Sequence, residues 1–189
     1  MKIGILKFGQ VDPYVLDRVK EDLIMVFPKT MCKLMPETLT LPQEAFNEER
    51  KQYRSDIILN QIVNYAQREK TVNRVLGVVD VDIFVQQLNY VFGEAERPGK
   101  AALISLWRLR PEFHKKPANM ELFVERSTKE AVHELGHTLG LGHCDNPFCV
   151  MYFSNSIFDT DRKQSLFCHK CQLKIEAVRL RSRRTQSSE

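Results

Sequence analysis

The run HELGHTLGLGH, residues 133–143, contains the side chains with the clearest capacity for chemistry. On a helix, His133 and His137 leave the same face about one turn apart, which is the spacing at which two imidazoles reach one Zn²⁺. Gly140 permits the left-handed backbone that ends a helix, so the reversed chain can return His143 as a third ligand. Three histidines leave one tetrahedral position open, which is typical of a catalytic zinc rather than a structural one.

A carboxylate stands beside the first of these histidines. Glu134 follows His133 directly, so it can contact a metal-bound water without becoming a ligand itself. We therefore expect Glu134 to act as the general base of a hydrolytic reaction. The alternative is a helix that carries three solvated histidines, but five fixed positions would arise by chance in only about one in 10⁵ chains of this length.

Four cysteines form a second constellation just beyond the histidines. Cys144 and Cys149 are separated by four residues, and Cys168 and Cys171 by two, which is the spacing of two knuckles that each donate two thiolates. This spacing predicts a closed four-cysteine site holding a structural zinc, which can supply on the order of 10 kcal/mol of folding free energy. Two disulfides or free thiols are the alternatives. Cys32 stands apart and is expected to be a buried apolar side chain.

The two predicted metal sites are adjacent in the chain. Cys144 directly follows His143, so neighbouring residues would bind different ions. We therefore expect two Zn²⁺ per chain, one catalytic and one structural, and we expect the structural site to hold the third catalytic ligand in place.

Alternating strands and helices are predicted before the histidine run. Asp12 and Pro13 provide the N-cap and first turn of an amphipathic helix, and Ser55 is expected to cap a second one. Pro36 interrupts a weak strand and places it at a sheet edge. Three apolar runs predict the strands, at residues 3–8, 33–41 and 75–79.

The pattern of residues in the second half of the sequence predicts a hairpin and two further helices. Two apolar runs, 90–95 and 101–109, flank a Pro-Gly turn and indicate a β-hairpin. We expect the histidine helix to be long and to begin near residue 119, although Ser127 and Glu130 could form a later capping box. A terminal helix should follow Cys168, with disorder over residues 183–189.

Composition limits the classes of partner. The formal charge is +4 in 189 residues, and arginines near the C-terminal end contribute much of it. A run of this kind is typical of a solvated helix end. A zinc knuckle that contacts nucleic acid is a further hypothesis, but the sequence has no cluster of basic and aromatic residues that would support it. We expect no nucleic-acid or membrane partner, a monomer, and a cytoplasmic location, because no signal peptide or membrane span is evident. The arginines are Arg179, Arg181, Arg183 and Arg184.

The histidine run, followed by Met151, matches the metzincin signature HExxHxxGxxH with a later methionine. Here the third histidine is followed at once by Cys, then by four residues, Cys-x-Met and a final Cys-x-x-Cys. This extended pattern resembles the archaemetzincin family. The stretches Val-Val-Asp-Val-Asp (78–82) and Val-Phe-Gly-Glu-Ala (91–95) also look like strand segments of that family.

The resemblance implies an α/β fold of the α+β zincin-like kind. It would have a mixed twisted sheet with an antiparallel edge strand, a long active-site helix and a small C-terminal lobe with a structural zinc. We divide the chain into an N-terminal subdomain, 1–142, and a C-terminal subdomain, 143–189. Met151 would lie buried beneath the three histidines, and the strand at 91–95 would pair with an extended peptide substrate.

These features together predict a zinc-dependent metallopeptidase that acts on peptide bonds. The alternative is a zinc-containing peptide-binding protein of the same fold with weak or no turnover. We expect the loop 152–158 to shape the pocket, with Tyr152 as a candidate oxyanion partner. Glu94 could capture a free substrate amine, or it could be a solvated carboxylate on the edge strand.

Overall fold

The computed structural model describes the backbone of residues 1–186 and the side chains of residues 1–178. The helices are α1 (Pro13–Val26), α2 (Ser55–Arg68), α3 (Met120–Thr138), α4 (Ile157–Arg162) and α5 (His169–Gln186). The strands are β1 (Lys2–Phe8), β2 (Met31–Leu39), β3 (Phe46–Asn47), β4 (Gln52–Arg54), β5 (Arg74–Val79), β6 (Ile83–Phe84), β7 (Gly93–Ala95) and β8 (Ala101–Ser105).

A five-stranded mixed sheet forms the centre of the fold. Its strand order is β2-β1-β5-β8-β7, and a small three-stranded sheet, β3-β4-β6, stands beside it. The first four strands of the large sheet are parallel, whereas β7 is antiparallel to β8. The predicted mixed sheet with an antiparallel edge strand is therefore confirmed.

The sheet is covered on both faces. In β1, Ile3 and Ile5 face a core shared with α1 and α3, whereas Leu6 and Phe8 face a core shared with α2. This two-sided burial explains why β5 is a continuous apolar run, since both faces of a central parallel strand are covered. Helix α3 is buried at every position from residue 126 to residue 138, which places the histidines on an element held from all sides.

Several local predictions are confirmed. The backbone N–H of Tyr14 donates to Asp12 Oδ1 at 2.9 Å, so Asp12 caps α1 as expected. Strand β2 lies at the sheet edge, and its register with β1 shifts close to Pro36. The hairpin of β7 and β8 also forms, although its second strand ends at Ser105 because the chain turns into a 3₁₀ helix soon afterwards.

The predicted cap of α2 is wrong, and the alternative start of α3 is not observed. Ser55 is the first residue of α2, and its hydroxyl donates to Phe84 O at 3.1 Å instead of capping the helix. Ser127 lies inside α3 and donates to Phe123 O, so the alternative capping box does not form. Asn119 is the cap of α3, which confirms the longer helix.

The C-terminal helix extends further than the sequence suggested. Residues 183–186 are helical, so the expected disorder is wrong there, and residues 187–189 lie outside the described part of the chain. The side chains of the four terminal arginines also lie outside it. Within the described residues, no helix combines the length and hydropathy needed to cross a membrane.

Candidate metal centres and the cleft between them

The three predicted histidine ligands converge. His133 and His137 stand one turn apart on α3, and Gly140, with φ +91°, reverses the chain so that His143 returns to them. Their ligand atoms all lie within 4.8 Å of one another, and the Nε2 atoms of His133 and His137 are 3.1 Å apart. The structure thus brings together the whole predicted set.

Hydrogen bonds that the two helix histidines donate to backbone carbonyls fix which ring nitrogen carries the proton. The Nδ1 atoms of His133 and His137 lie 2.7 Å from Val150 O and 2.8 Å from Leu141 O. A carbonyl only accepts, so each Nδ1 carries the proton and each Nε2 presents a lone pair. Burial lowers the pKa of both imidazoles, that of His137 to about 4, and keeps them neutral.

This donor set fits a zinc ion. Two Nε2 lone pairs that face each other at 3.1 Å repel unless a cation lies between them. Tetrahedral ligands at roughly 2.0–2.1 Å from zinc stand about 3.4 Å apart, close to the observed spacing. The third predicted ligand, His143, is exposed toward the cleft, with the Phe153 ring packed 4.8 Å from its own ring.

Glu134 is buried between the histidines and the edge strand. A Cβ placed on Gly93 of β7 would lie 2.6 Å from Glu134 Oε1, so only glycine permits this close approach. Burial, followed by the charge of Glu130, raises the pKa of Glu134. A carboxyl held in this way can exchange a proton with a group in the cleft.

A buried ion pair behind Glu134 was not predicted from the sequence. Lys163, fully buried, lies 3.0 Å from Glu130 Oε1, and Thr160 Oγ1 donates to the same oxygen at 2.9 Å. Glu130 precedes Glu134 by four residues, so helical spacing could have identified it as a second carboxylate on that face. Lys163 has no comparable local signal, because it reaches the site only through the packing of α4 against α3.

The four C-terminal cysteines also converge, as predicted. All are free thiols, and the Sγ pairs Cys144–Cys168 and Cys149–Cys171 are each separated by 3.8 Å. A sulfur tetrahedron around zinc, with bonds of about 2.3 Å, has edges of about 3.8 Å, so the geometry fits a zinc ion and excludes disulfides. Cys32 is half-buried against the core, and burial raises its pKa to about 11.

Thiolate formation within this cluster is favoured at Cys168. Burial raises its pKa, but the backbone N–H of Cys171 and the neighbouring thiols outweigh burial and lower it to about 7. Burial raises the pKa of Cys149 and of Cys171. A bound metal would remove this difference in pKa between the thiols, because each thiol must lose its proton to become a ligand.

The methionine lies where the sequence placed it. Met151 is fully buried, and its sulfur packs directly against Gly136 of α3, between the two helix histidines. A side chain at residue 136 would collide with this sulfur. Met151 therefore forms the support beneath the histidine site.

The cleft in front of the histidines is bounded by β7 on one side and by residues 153–155 on the other. The Tyr90 hydroxyl donates to Asn155 O at 3.0 Å, which links the two walls. Phe153, Ser154 and Asn155 confirm that the loop 152–158 shapes the pocket. Tyr152 does not line the cleft, so its candidacy as the oxyanion partner is not supported.

Glu94 is not a solvated carboxylate, contrary to one of its two predicted roles. Its Oε2 is buried without a hydrogen-bond partner among the described residues. Burial raises the pKa of this carboxyl. Strand alternation turns the Glu94 side chain away from the face on which Gly93 meets Glu134. Residue 94 nevertheless lines the cleft, so the capture of a substrate amine by Glu94 stays a prediction.

The fold and the histidine site define a zinc metallopeptidase of the metzincin type. A family model described as Peptidase family M54 matches residues 7–177. The archaemetzincin of Methanocaldococcus jannaschii is 45% identical over 176 residues, which is 93% of each chain. This chain therefore belongs to the archaemetzincin family.

Solved structures agree with this assignment. The archaemetzincin of Methanopyrus kandleri superposes with a TM-score of 0.82 at 34% identity, covering 94% of both chains. That of Archaeoglobus fulgidus, solved in complex with malonate, gives 0.77 at 38% identity and covers 92% of this chain and 99% of its own. The predicted family, fold class and zinc-dependent metallopeptidase activity are thereby confirmed.

Proposed function

We propose that His133, His137 and His143 hold the catalytic zinc and that Glu134 is the general base of peptide-bond hydrolysis. The observation that carries this proposal is the convergence of the three imidazoles, two of them with Nε2 lone pairs turned toward each other. Glu134 adds a buried carboxylate at the same point of the cleft. The open fourth position is what a hydrolytic zinc requires.

The histidines, Glu134 and strand β7 have separate roles in the proposed reaction. A zinc ion held by the three imidazoles would lower the pKa of a bound water and polarise the scissile carbonyl. Glu134 accepts the proton of the attacking water on its carboxylate and returns it to the leaving amine nitrogen. Strand β7 offers its free edge to the main chain of an extended peptide, and Gly93 leaves room for Glu134 beside that edge.

We further propose that Cys144, Cys149, Cys168 and Cys171 hold a structural zinc, which makes two Zn²⁺ per chain. The two 3.8 Å sulfur separations support this assignment. The ion would join the segment after α3 to the start of α5. Residues 143–189 would then form a C-terminal subdomain organised by this metal, set against an N-terminal subdomain of residues 1–142.

The test is the substitution Glu134→Gln. We expect the rate of peptide hydrolysis to fall by about 10²–10⁴-fold, while zinc content is unchanged because Glu134 is not a ligand. Cleavage of a mixed peptide library, with metal content measured on the same sample, provides both readouts. Glu121→Gln, at an exposed position in the first turn of α3, is the matched control.

Two results would contradict the proposal. Undiminished hydrolysis by the Glu134→Gln variant would remove Glu134 from the base role. A wild-type protein that binds zinc and peptides but cleaves none would favour the alternative of a peptide-binding protein.

Two remaining proposals concern the state of the protein in the cell. The five free cysteines support a reducing, cytoplasmic location. We also propose that the chain acts as a monomer on its peptide substrate. Cell fractionation tests the location, and light scattering of the zinc-loaded protein tests the monomeric state.

A further inference from the structure

One basic side chain stands at the end of the cleft beside the histidines. Among the described residues that line the cleft, Arg97 is the single lysine or arginine. It is exposed, and its guanidinium lies 3.4 Å from the position that a Cβ on Gly142 would occupy. Gly142 immediately precedes His143, so this cation lies over the turn that delivers the third histidine.

The hairpin turn that carries Arg97 is anchored to α3. The backbone N–H of Gly99 donates to Thr138 O at 3.1 Å, and Pro98 packs against Gly140. Glu96, the adjacent carboxylate, accepts from the backbone N–H of Lys100 at 2.9 Å. The turn therefore holds the backbone of Arg97 in place, and the acidic side chain adjacent to it in the sequence is engaged by the turn itself.

Two arginines that contact cleft-lining residues, Arg108 at Tyr90 and Arg50 at Asn89, are differently placed because their N–H groups have partners within the protein. Arg108 donates to both carboxylate oxygens of Asp82 at 2.7 Å, and Arg50 donates to Asn89 O at 2.7 Å. Arg97 makes no such hydrogen bond or ion pair within the described residues. A guanidinium left without a partner in a substrate cleft can form a bidentate pair with a carboxylate of the substrate.

The direction of β7 indicates which part of the substrate meets this cation. Strand β7 runs from Gly93 toward Arg97, and its free edge lines the cleft. Antiparallel addition, the more stable pairing per residue, places the amino-terminal part of a bound peptide at the Arg97 end. A free α-amino group at that end would meet a like charge, whereas an acidic side chain would be attracted.

We propose that Arg97 is a specificity-determining residue that binds an Asp or Glu side chain on the amino-terminal side of the scissile bond. This inference rests on the proposed hydrolysis of peptides at the histidine site. It makes the preferred substrate an acidic peptide segment, and it disfavours a substrate whose free amino terminus lies beside the scissile bond.

The experiment uses peptidyl hydroxamates, whose zinc-binding group anchors the peptide so that all its residues lie on the amino-terminal side. Pairs that differ by Glu or Gln at one position are compared for binding to the zinc-loaded protein. We expect the Glu peptide to bind about tenfold more tightly at one position, which is the scale of a charge-assisted hydrogen-bonded pair. Added salt should reduce this preference.

Substitutions of Arg97 separate a charge contact from a structural effect. Arg97→Gln should abolish the discrimination, Arg97→Lys should retain part of it, and Arg97→Glu should reverse it in favour of Lys peptides. Arg162→Gln, an exposed position outside the cleft lining, is the matched control and should leave the preference unchanged.

Three results would overturn the inference: equal binding of the Glu and Gln peptides, no binding of either, or an equal loss for both in the Arg97→Gln protein. The last result would indicate a general role at the reacting carbonyl. The proposed function is tested separately. If the wild-type protein cleaves no peptide while the charge preference persists, the proposed hydrolysis fails, and Arg97 is left as a residue that binds acidic peptides without a role in cleavage.

Discussion

Loss of the cysteine site should weaken the histidine site, because the same short segment serves both. Val150, whose carbonyl accepts from His133 Nδ1 at 2.7 Å, lies directly after Cys149. Cys144 follows His143, and its backbone N–H donates to Met151 O at 2.9 Å. The substitution Cys168→Ser removes one sulfur from the tetrahedron and should release both contacts.

The magnitude follows from those two hydrogen bonds. Each contributes about 1 kcal/mol net, so their loss costs about 2 kcal/mol, or about a 30-fold weaker affinity of the histidine site for zinc. This lies within the roughly 10–100-fold range found when groups that orient metal ligands are removed. The stoichiometry should also fall from two Zn²⁺ per chain to one.

The assay is a competition titration of the metal-free protein against a chromophoric chelator. Titration with Co²⁺ reads the two sites separately, because thiolate ligation produces its own charge-transfer absorption. Cys32→Ser is the matched control, since Cys32 is half-buried against the core and lies outside the cluster. If Cys168→Ser empties the cysteine site while the histidine site keeps its wild-type affinity, the coupling argument is refuted.

Two further predictions concern stability. Lys163→Met should leave Glu130 buried without its cation and lower the free energy of unfolding by about 3–5 kcal/mol, as measured by denaturant titration. The double variant Glu130→Gln/Lys163→Met should recover part of this loss. A Lys163→Met variant as stable as the wild type would contradict a stabilising ion pair between these residues. In the metal-free protein, burial holds the pKa of His137 at about 4 against 6.5 in the unfolded chain, so only the unfolded state gains a proton between these values. The contribution of His137 to the free energy of unfolding is therefore fully present above pH 6.5, and about 3 kcal/mol of it should be lost on acidification to pH 4. A His137→Gln variant with an equally steep fall in thermal unfolding experiments would disprove the assignment to His137.

The sequence alone determined the elements of the site that depend on local spacing. The helical repeat places the proposed ligands His133 and His137 on one face of α3, and a single glycine turn returns His143 to them. The cysteine pairs are likewise local, with Cys144 and Cys149 in one loop. Helix α3 and the β7–β8 hairpin were predictable because apolar periodicity and a Pro-Gly turn are properties of short windows of the chain.

Only the tertiary structure decided which distant residues share the cleft. Lys163 contacts Glu130, which lies 33 residues earlier in the sequence, and Gly93 leaves room for Glu134, which lies 41 residues later. The β7–β8 turn likewise places Arg97 over Gly142. Each of these contacts depends on how a strand or helix packs against α3, and no periodicity in the chain encodes that packing. The physical reason is that secondary structure reflects preferences between near neighbours, whereas burial and charge at a site are set by side chains that packing brings together from separate elements.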